Sequence, residues 1–320
     1  MERKTPGKVG ENKSDIVREV PLACADEDAA VAFLEKRRWD DAPSCPHCDN
    51  ANVYQMTSRD GGREKHYRWR CRECKRQFSV RTGTVFEDSR IPLRHWCFAF
   101  WASCSSKKGV SAKQIQRQTG LSYKSALFLM HRIRWAMADD PTQPPKLSGT
   151  VEADETYIGG KPRASDRGDG RKNWRQRKPA VASVVERGGS VRAEVLPTVN
   201  SKTLGPFLTK HVEPGSNLMT DELPAYNGPA FMLRTNHQTV VHHLGEYVRG
   251  DVTTNTVEGF FSLLKRKIYG THHAVSPTHL HRYLAEASFI YNHRHVDDGE
   301  RTENAIKAAV GRRLTYRQPA

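Results

Sequence analysis

The chain has 320 residues, enough for two or three modest domains with a real hydrophobic core. It carries 51 Lys+Arg against 36 Asp+Glu, a net charge of +15, which points to a polyanionic partner with phosphate backbone first in line. No run approaches the ~20 apolar residues of a membrane span, and the polar start MERKTPGKVGENKSD has no apolar h-region. The expectation is a cytoplasmic protein with no membrane attachment, whose paired cysteines stay reduced and suit a metal.

Residues 1–25 read as a flexible arm. Asp26 then opens a short helix covering Ala29 to Trp39, with Ala30, Phe33 and Leu34 as its apolar stripe. Residues 42–90 hold Cys45-Pro-His-Cys48 and Cys71-Arg-Glu-Cys74, two C-x2-C pairs separated by 22 residues. Four thiolates close a tetrahedral Zn²⁺ site, so Cys45, Cys48, Cys71 and Cys74 are predicted to hold one structural zinc ion in a zinc ribbon. The domain is bounded at 26–90. Basic and aromatic residues nearby (Arg68, Trp69, Arg70, Arg72, Lys75, Arg76) suit DNA contact or a solvated surface equally.

Residues 91–139 read as a helical module. Leu93, Trp96, Cys97, Phe100, Trp101 and Cys104 follow the spacing of a core face, so those cysteines are packed thiols. Ser111 with Gln114 resembles a capping box, Gly120 ends one helix and Ser122 caps the next. That layout matches a helix-turn-helix, whose second helix would offer Lys124, Arg132 and Arg134 to DNA; an ordinary helical hairpin is the competing reading. Residues 140–148 form a proline-rich linker.

From 149 to 295 strand-like and helical runs alternate, indicating a mixed α/β layer fold. A basic insertion at 161–178 has eight basic and two acidic residues; it suits a DNA-clamping loop carrying Arg171, Lys172 and Arg175, with Trp174 available to stack, or a solvated one. Residues 296–320 read as a C-terminal basic tail. Asp154 lies in the strand VEADETYI, Asp221 at the end of the run NLMT, and Glu258 at the start of a helix. Carboxylates gathered at strand ends and a helix start suit a pair of Mg²⁺ ions, with Mn²⁺ as a substitute. Each has a plain alternative: a solvent-facing strand residue, a turn residue, and half of an Asn255…Glu258 capping box. Lys265 lies two turns beyond Glu258 on the same face and, with Arg266 and Lys267, suits either phosphate contact or a solvated basic face.

The segments CPHC…CRECKRQFSVRTGTVFEDSRIPLRHW, VEADETYIGGK, LMTDELPAY and YVRGDVTTNTVEGFFSLLKRKIYGTHHAVSPTHLHRYL, in this order, resemble bacterial insertion-sequence DDE transposases with an N-terminal zinc ribbon and an ISXO-like integrase core. The resemblance runs from about Asp26 to Arg294. It implies an RNase H-like catalytic core, a mixed sheet flanked by helices, preceded by the zinc ribbon and helix-turn-helix-like module. It also implies that Asp154, Asp221 and Glu258 are the metal-binding catalytic triad. Some relatives carry Asn at the third position, and here Asn255 and Glu258 are both present; Glu258 is taken because a carboxylate binds metal. The implied partners are transposon-end and target DNA, with a homodimer or larger assembly on them. A zinc-ribbon DNA-binding regulator, or an RNase H-like nuclease without strand transfer, are the alternatives.

Overall fold

The computed structural model describes residues 16–40, 42–139, 145–159 and 178–314. Its chain divides into two compact units, Met1–Met137 with Arg294–Ala320, and Ala138–His293.

In the first unit α1 (Ile16–Ala25) precedes α2 (Glu27–Trp39). Residues 16–25 are therefore not part of an arm: Ile16, Val20 and Ala23 are buried, and α1 packs on α2 and on α3 (Leu93–Ser105). Asp26 caps α2 by accepting from the Ala29 amide at 2.9 Å. Between α2 and α3 lies an antiparallel three-stranded sheet of β1 (Val53–Gln55), β2 (Trp69–Cys71) and β3 (Gln77–Phe78). On α3 Leu93, Trp96, Cys97, Phe100 and Cys104 of the expected stripe are buried, whereas Trp101 is only half-buried. Next come α4 (Ala112–Thr119) and α5 (Tyr123–Ala136). Ser111 accepts from the Gln114 amide and Ser122 from the Ser125 amide. Gly120, between the two helices, takes a φ of 73° that a residue with a Cβ adopts only under strain.

The second unit is built on a five-stranded mixed sheet. β4 (Thr150–Tyr157), β5 (Ala180–Glu186) and β6 (Val191–Leu196) form an antiparallel meander. After α6 (Ser201–His211), β7 (Asn217–Thr220) joins β4 in parallel; after α7 (Asn227–Met232), β8 (Asn236–Thr239) joins β7 in parallel. The sheet order is β6-β5-β4-β7-β8. A small hairpin of β9 (Val248–Arg249) and β10 (Val252–Thr253) leads into α8 (Asn255–Lys267), and α9 (Leu280–Asn292) follows. Strand alternation sends side chains of β4, and of Ile158 directly after it, to two cores. Val151 and Ala153 join Leu204, Phe207 and Leu208 of α6, whereas Ile158 joins Phe260, Phe261 and Leu264 of α8 and Leu284 of α9. The mixed sheet flanked by helices is the RNase H-like class expected.

The chain then returns to the first unit as α10 (Asp298–Lys307), which packs on α1, α2, α3 and α5. The expected basic tail is in this part a core element. Ala305, Ile306, Ala309 and Leu314 are buried, and the Val85 amide donates to the Ala309 carbonyl. Among the described residues no helix is long and apolar enough to cross a membrane.

Candidate active site

The parallel pairing of β4 with β7 ends at Glu152 opposite Met219. Two residues beyond that pair come Asp154, inside β4, and Asp221, just past the end of β7, so both acids stand where the parallel pairing stops, the side on which open α/β sheets place their sites. Asp154, Glu155 and Asp221 each bring a carboxylate oxygen to within 4.8 Å of the others. Neighbours on a strand leave on opposite faces, yet β7 has stopped pairing here, so the carboxylates of both Asp154 and Glu155 reach the gap. The Asp154 Oδ1 accepts from the Glu155 amide at 2.7 Å and the Asp221 Oδ1 from the Leu223 amide at 3.1 Å. The phenol of buried Tyr226 donates to the Glu155 Oε2 at 2.9 Å.

Glu258, in the first turn of α8, lies outside this closest group, but its charge acts on Asp154. The Asn255…Glu258 capping box does not form. The N-cap is Thr254, which makes no side-chain cap bond, and its hydroxyl instead donates to the Glu258 Oε1 at 3.0 Å. The helix start is capped from a distance: the fully buried carboxylate of Glu152 accepts from the Thr256 and Val257 amides at 2.7 and 3.1 Å. The His242 Nε2 stands 3.8 Å from the Glu258 Oε1. Its turn is held by Glu222, which accepts from the His242 and His243 amides.

Burial pushes the Asp154 carboxyl up to about 8, reinforced by the charges of Glu155, Asp221 and Glu258. Burial and Glu222 likewise raise Asp221, partly offset by the Leu223 amide and His242. Backbone donors, first that of His242, pull Glu222 down to about 2. Crowded carboxylates that resist ionising together are a natural seat for a cation, which would reverse this repulsion.

In the first unit, Cys45 Sγ lies 3.6 Å from Cys74 Sγ and Cys48 Sγ 3.7 Å from Cys71 Sγ, and all four sulfurs fall within 4.8 Å of one another. Thiolates ~2.3 Å from a shared tetrahedral zinc would sit about 3.8 Å apart, whereas a disulfide needs ~2.05 Å. The four cysteines fit zinc and not disulfides. Phe78, Trp39, Val53 and Trp69 pack around them.

Residues 146–292 match the family described as the ISXO2-like transposase domain, and residues 25–77 match the transposase zinc-ribbon domain. An uncharacterized protein in the transposable element ISH50 of Halobacterium salinarum is 31% identical over 270 residues, covering 81% of this chain and 88% of its own. The chain belongs to the ISXO2-like transposases. Among solved structures, a chain of a simian T-cell lymphotropic virus intasome, in complex with the PP2A regulatory subunit B56 gamma, aligns with a TM-score of 0.28 and 15% identity over 55% of this chain and 67% of that one.

The basic residues of this transposase divide sharply. Lys124, at the start of α5, is exposed, as are Lys265 and Arg266 on α8. Arg132 and Arg134 are buried, which corrects their assignment as DNA contacts. The C-terminal half of α5 faces the core with Leu129, Met130 and Ile133, and the Arg132 Nη1 donates to the carbonyls of Val85 at 2.7 Å and Glu87 at 2.6 Å. Lys267 is corrected in the same way: it is buried and pairs with buried Glu286 at 2.9 Å. Arg171, Lys172, Trp174 and Arg175 lie outside the described residues.

Sequence reasoning missed Glu152, Glu155, Tyr226 and His242. Glu152 and Glu155 carried a signal, being charged residues in a strand-like alternating run. His242 carried none, because a turn hydrogen-bonded to Glu222 brings it in.

Proposed function

We propose that this transposase binds the terminal inverted repeats of an insertion sequence, cleaves the DNA at the 3′ ends of the element, and joins the freed 3′-hydroxyl to target DNA. The supporting observation is the meeting of Asp154 and Asp221 where the β4–β7 pairing stops, with the charge of Glu258 on α8 acting on Asp154. The site offers oxygen donors, the set that suits Mg²⁺ or Mn²⁺ rather than softer ions. Asp154, Asp221 and Glu258 would hold the ions. Bound there, a metal pair supplies Lewis-acid activation of the attacking oxygen and charge stabilisation at the leaving 3′-oxygen.

The chain's own part is positioning. Backbone amides hold one oxygen of Asp154 and one of Asp221, so these carboxylates would receive the ions without reorganising. In cleavage, water oxygen bonds to phosphorus and the 3′-oxygen of the element leaves as a hydroxyl. In joining, that hydroxyl displaces a 3′-oxygen of the target, and no covalent protein intermediate forms. Lys265 and Arg266 would hold a phosphate beside the site, and Lys124 and the basic residues of 161–178 would supply further DNA contacts. The zinc ribbon would stabilise the end-recognition module. Two ends joined together call for two protomers or more.

The test is an end-containing duplex and a target plasmid incubated with Mg²⁺ or Mn²⁺. Cleavage and joining together are expected. Binding alone would mark a regulator, and cleavage without joining another nuclease.

A further inference from the structure

The buried carboxylate of Glu152 belongs to no metal group, yet it makes more directed contacts than any of the site acids. Its Oε2 accepts from the Thr256 and Val257 amides, and its Oε1 accepts from the Thr256 hydroxyl at 2.9 Å and from the Arg187 Nε at 2.7 Å. Arg187 also reaches the carbonyl of Thr253, just before α8, at 3.2 Å. The first amides of a helix have no intrahelical acceptor and carry its positive end. In α8 the local N-cap supplies no side-chain bond, so a carboxylate on the central strand takes that place.

We infer that Glu152 is a positioning residue: it fixes the start of α8 to β4 and thereby sets Glu258 against Asp154. The geometry follows from the strand. Glu152 and Asp154 are two residues apart on one face of β4, ~6.6 Å along it. Glu152 grips Val257, the residue before Glu258. The two metal-binding elements are thus tied together one residue from one acid and two residues from the other. A helix released at this point is free to slide or fray, taking Glu258 with it. The inference rests on the three-carboxylate reading above, and it treats the Glu152–Arg187 pair as a brace for that site.

The experiment is Mn²⁺ titration of the metal-free acidic site in the full chain, zinc retained, followed by electron paramagnetic resonance, alongside circular-dichroism melts. Glu152→Gln keeps the shape but loses the charge that holds Arg187. It is expected to weaken Mn²⁺ binding about tenfold, the usual scale for residues that orient metal ligands. Glu258→Gln should weaken it to a similar degree, and the double variant should be no weaker than Glu258→Gln alone within about twofold, because Glu152 acts through Glu258. Unchanged affinity in Glu152→Gln overturns the inference, and so does a double variant whose losses multiply, which would mark a general structural role. If Glu152→Gln does not fold, Thr256→Val decides. It removes one of the four bonds and should weaken Mn²⁺ about threefold in the wild-type background and not at all in Glu258→Gln; no effect in either overturns the inference. If instead neither Asp154→Asn nor Glu258→Gln alters Mn²⁺ binding, the metal-site reading itself falls and this one with it.

Discussion

Asp154 and Asp221 stand level on adjacent parallel strands, each two residues beyond the last β4–β7 pair, Glu152 with Met219. Their meeting is a consequence of register: a slip of one residue would turn one acid to the other face. Replacing Asp154 by Asn keeps the side chain's size and the bond to the Glu155 amide while removing the charge. Cleavage and joining are expected to fall by roughly 10³-fold or more, about 4 kcal/mol of transition-state stabilisation. End binding in a gel-shift assay should stay within about twofold. Lost binding in a folded variant would contradict a purely catalytic role for Asp154.

The pH behaviour of the metal-free chain follows from the same carboxylate. Asp154 ionises at about 8 in the fold and near ~3.9 in an unfolded chain. Between those values the folded state holds the extra proton, so this group's contribution to stability is full in acid and is lost as pH rises through about 8. Asp154→Asn should therefore raise the melting temperature of the metal-free protein at pH 8.5 and leave it little changed near pH 4. The expected gain is about 1–3 kcal/mol, below the full conversion of the shift because the group is partly exposed. Mn²⁺ binding must expel the proton, so affinity should rise with pH up to about 8 and level off above. A calorimetric titration showing no proton release at pH 6.5 would contradict this account.

The zinc ribbon gives a separate test. Cys71 is buried against Phe78 and Trp69, and its amide donates to the Arg76 carbonyl. Cys71→Ser should reduce the bound zinc from one per chain to a small fraction and unfold residues around β1–β3, because a small metal-held module draws much of its folding free energy from the ion. Zinc content by atomic absorption and protease sensitivity of the N-terminal unit report this directly. A fully zinc-loaded Cys71→Ser protein would overturn the assignment.

How much was legible beforehand differed by the kind of signal. The four cysteines were readable because ligand spacing is local. Asp26, Ser111, Gly120 and Ser122 were readable because caps are local as well. The return of α10 to the first unit was hidden: its composition is charged, and the burial of Thr302, Ala305 and Ile306 declares it a core helix. Arg132, Arg134 and Lys267 misled because charge alone does not say which face of a helix it occupies, and long side chains bury their stems and pair their heads. The Asn255…Glu258 pattern misled in the opposite direction. The local sequence offers a capping box, and the fold takes the cap from Glu152, 104 residues before Thr256.

The contrast between Lys265 and Lys267 separates the proposed phosphate contact from scaffold on one helix. Lys267 is buried against Glu286 at 2.9 Å, so Lys267→Ala takes the Lys267 cation away from a buried carboxylate. It should destabilise the second unit by about 3–5 kcal/mol, readable as a lowered midpoint in urea. Lys265 is exposed, and Lys265→Ala should leave that midpoint within about 0.5 kcal/mol. Its effect should appear on DNA: weaker binding, and a slope of log affinity against log salt smaller by about one contact. The same assay on Lys124→Ala and Arg132→Ala should give the matching split, the first losing salt-dependent affinity and the second losing stability. Wild-type stability in Lys267→Ala would refute the buried pair, and an unaltered salt slope in Lys265→Ala would remove that residue from the DNA path.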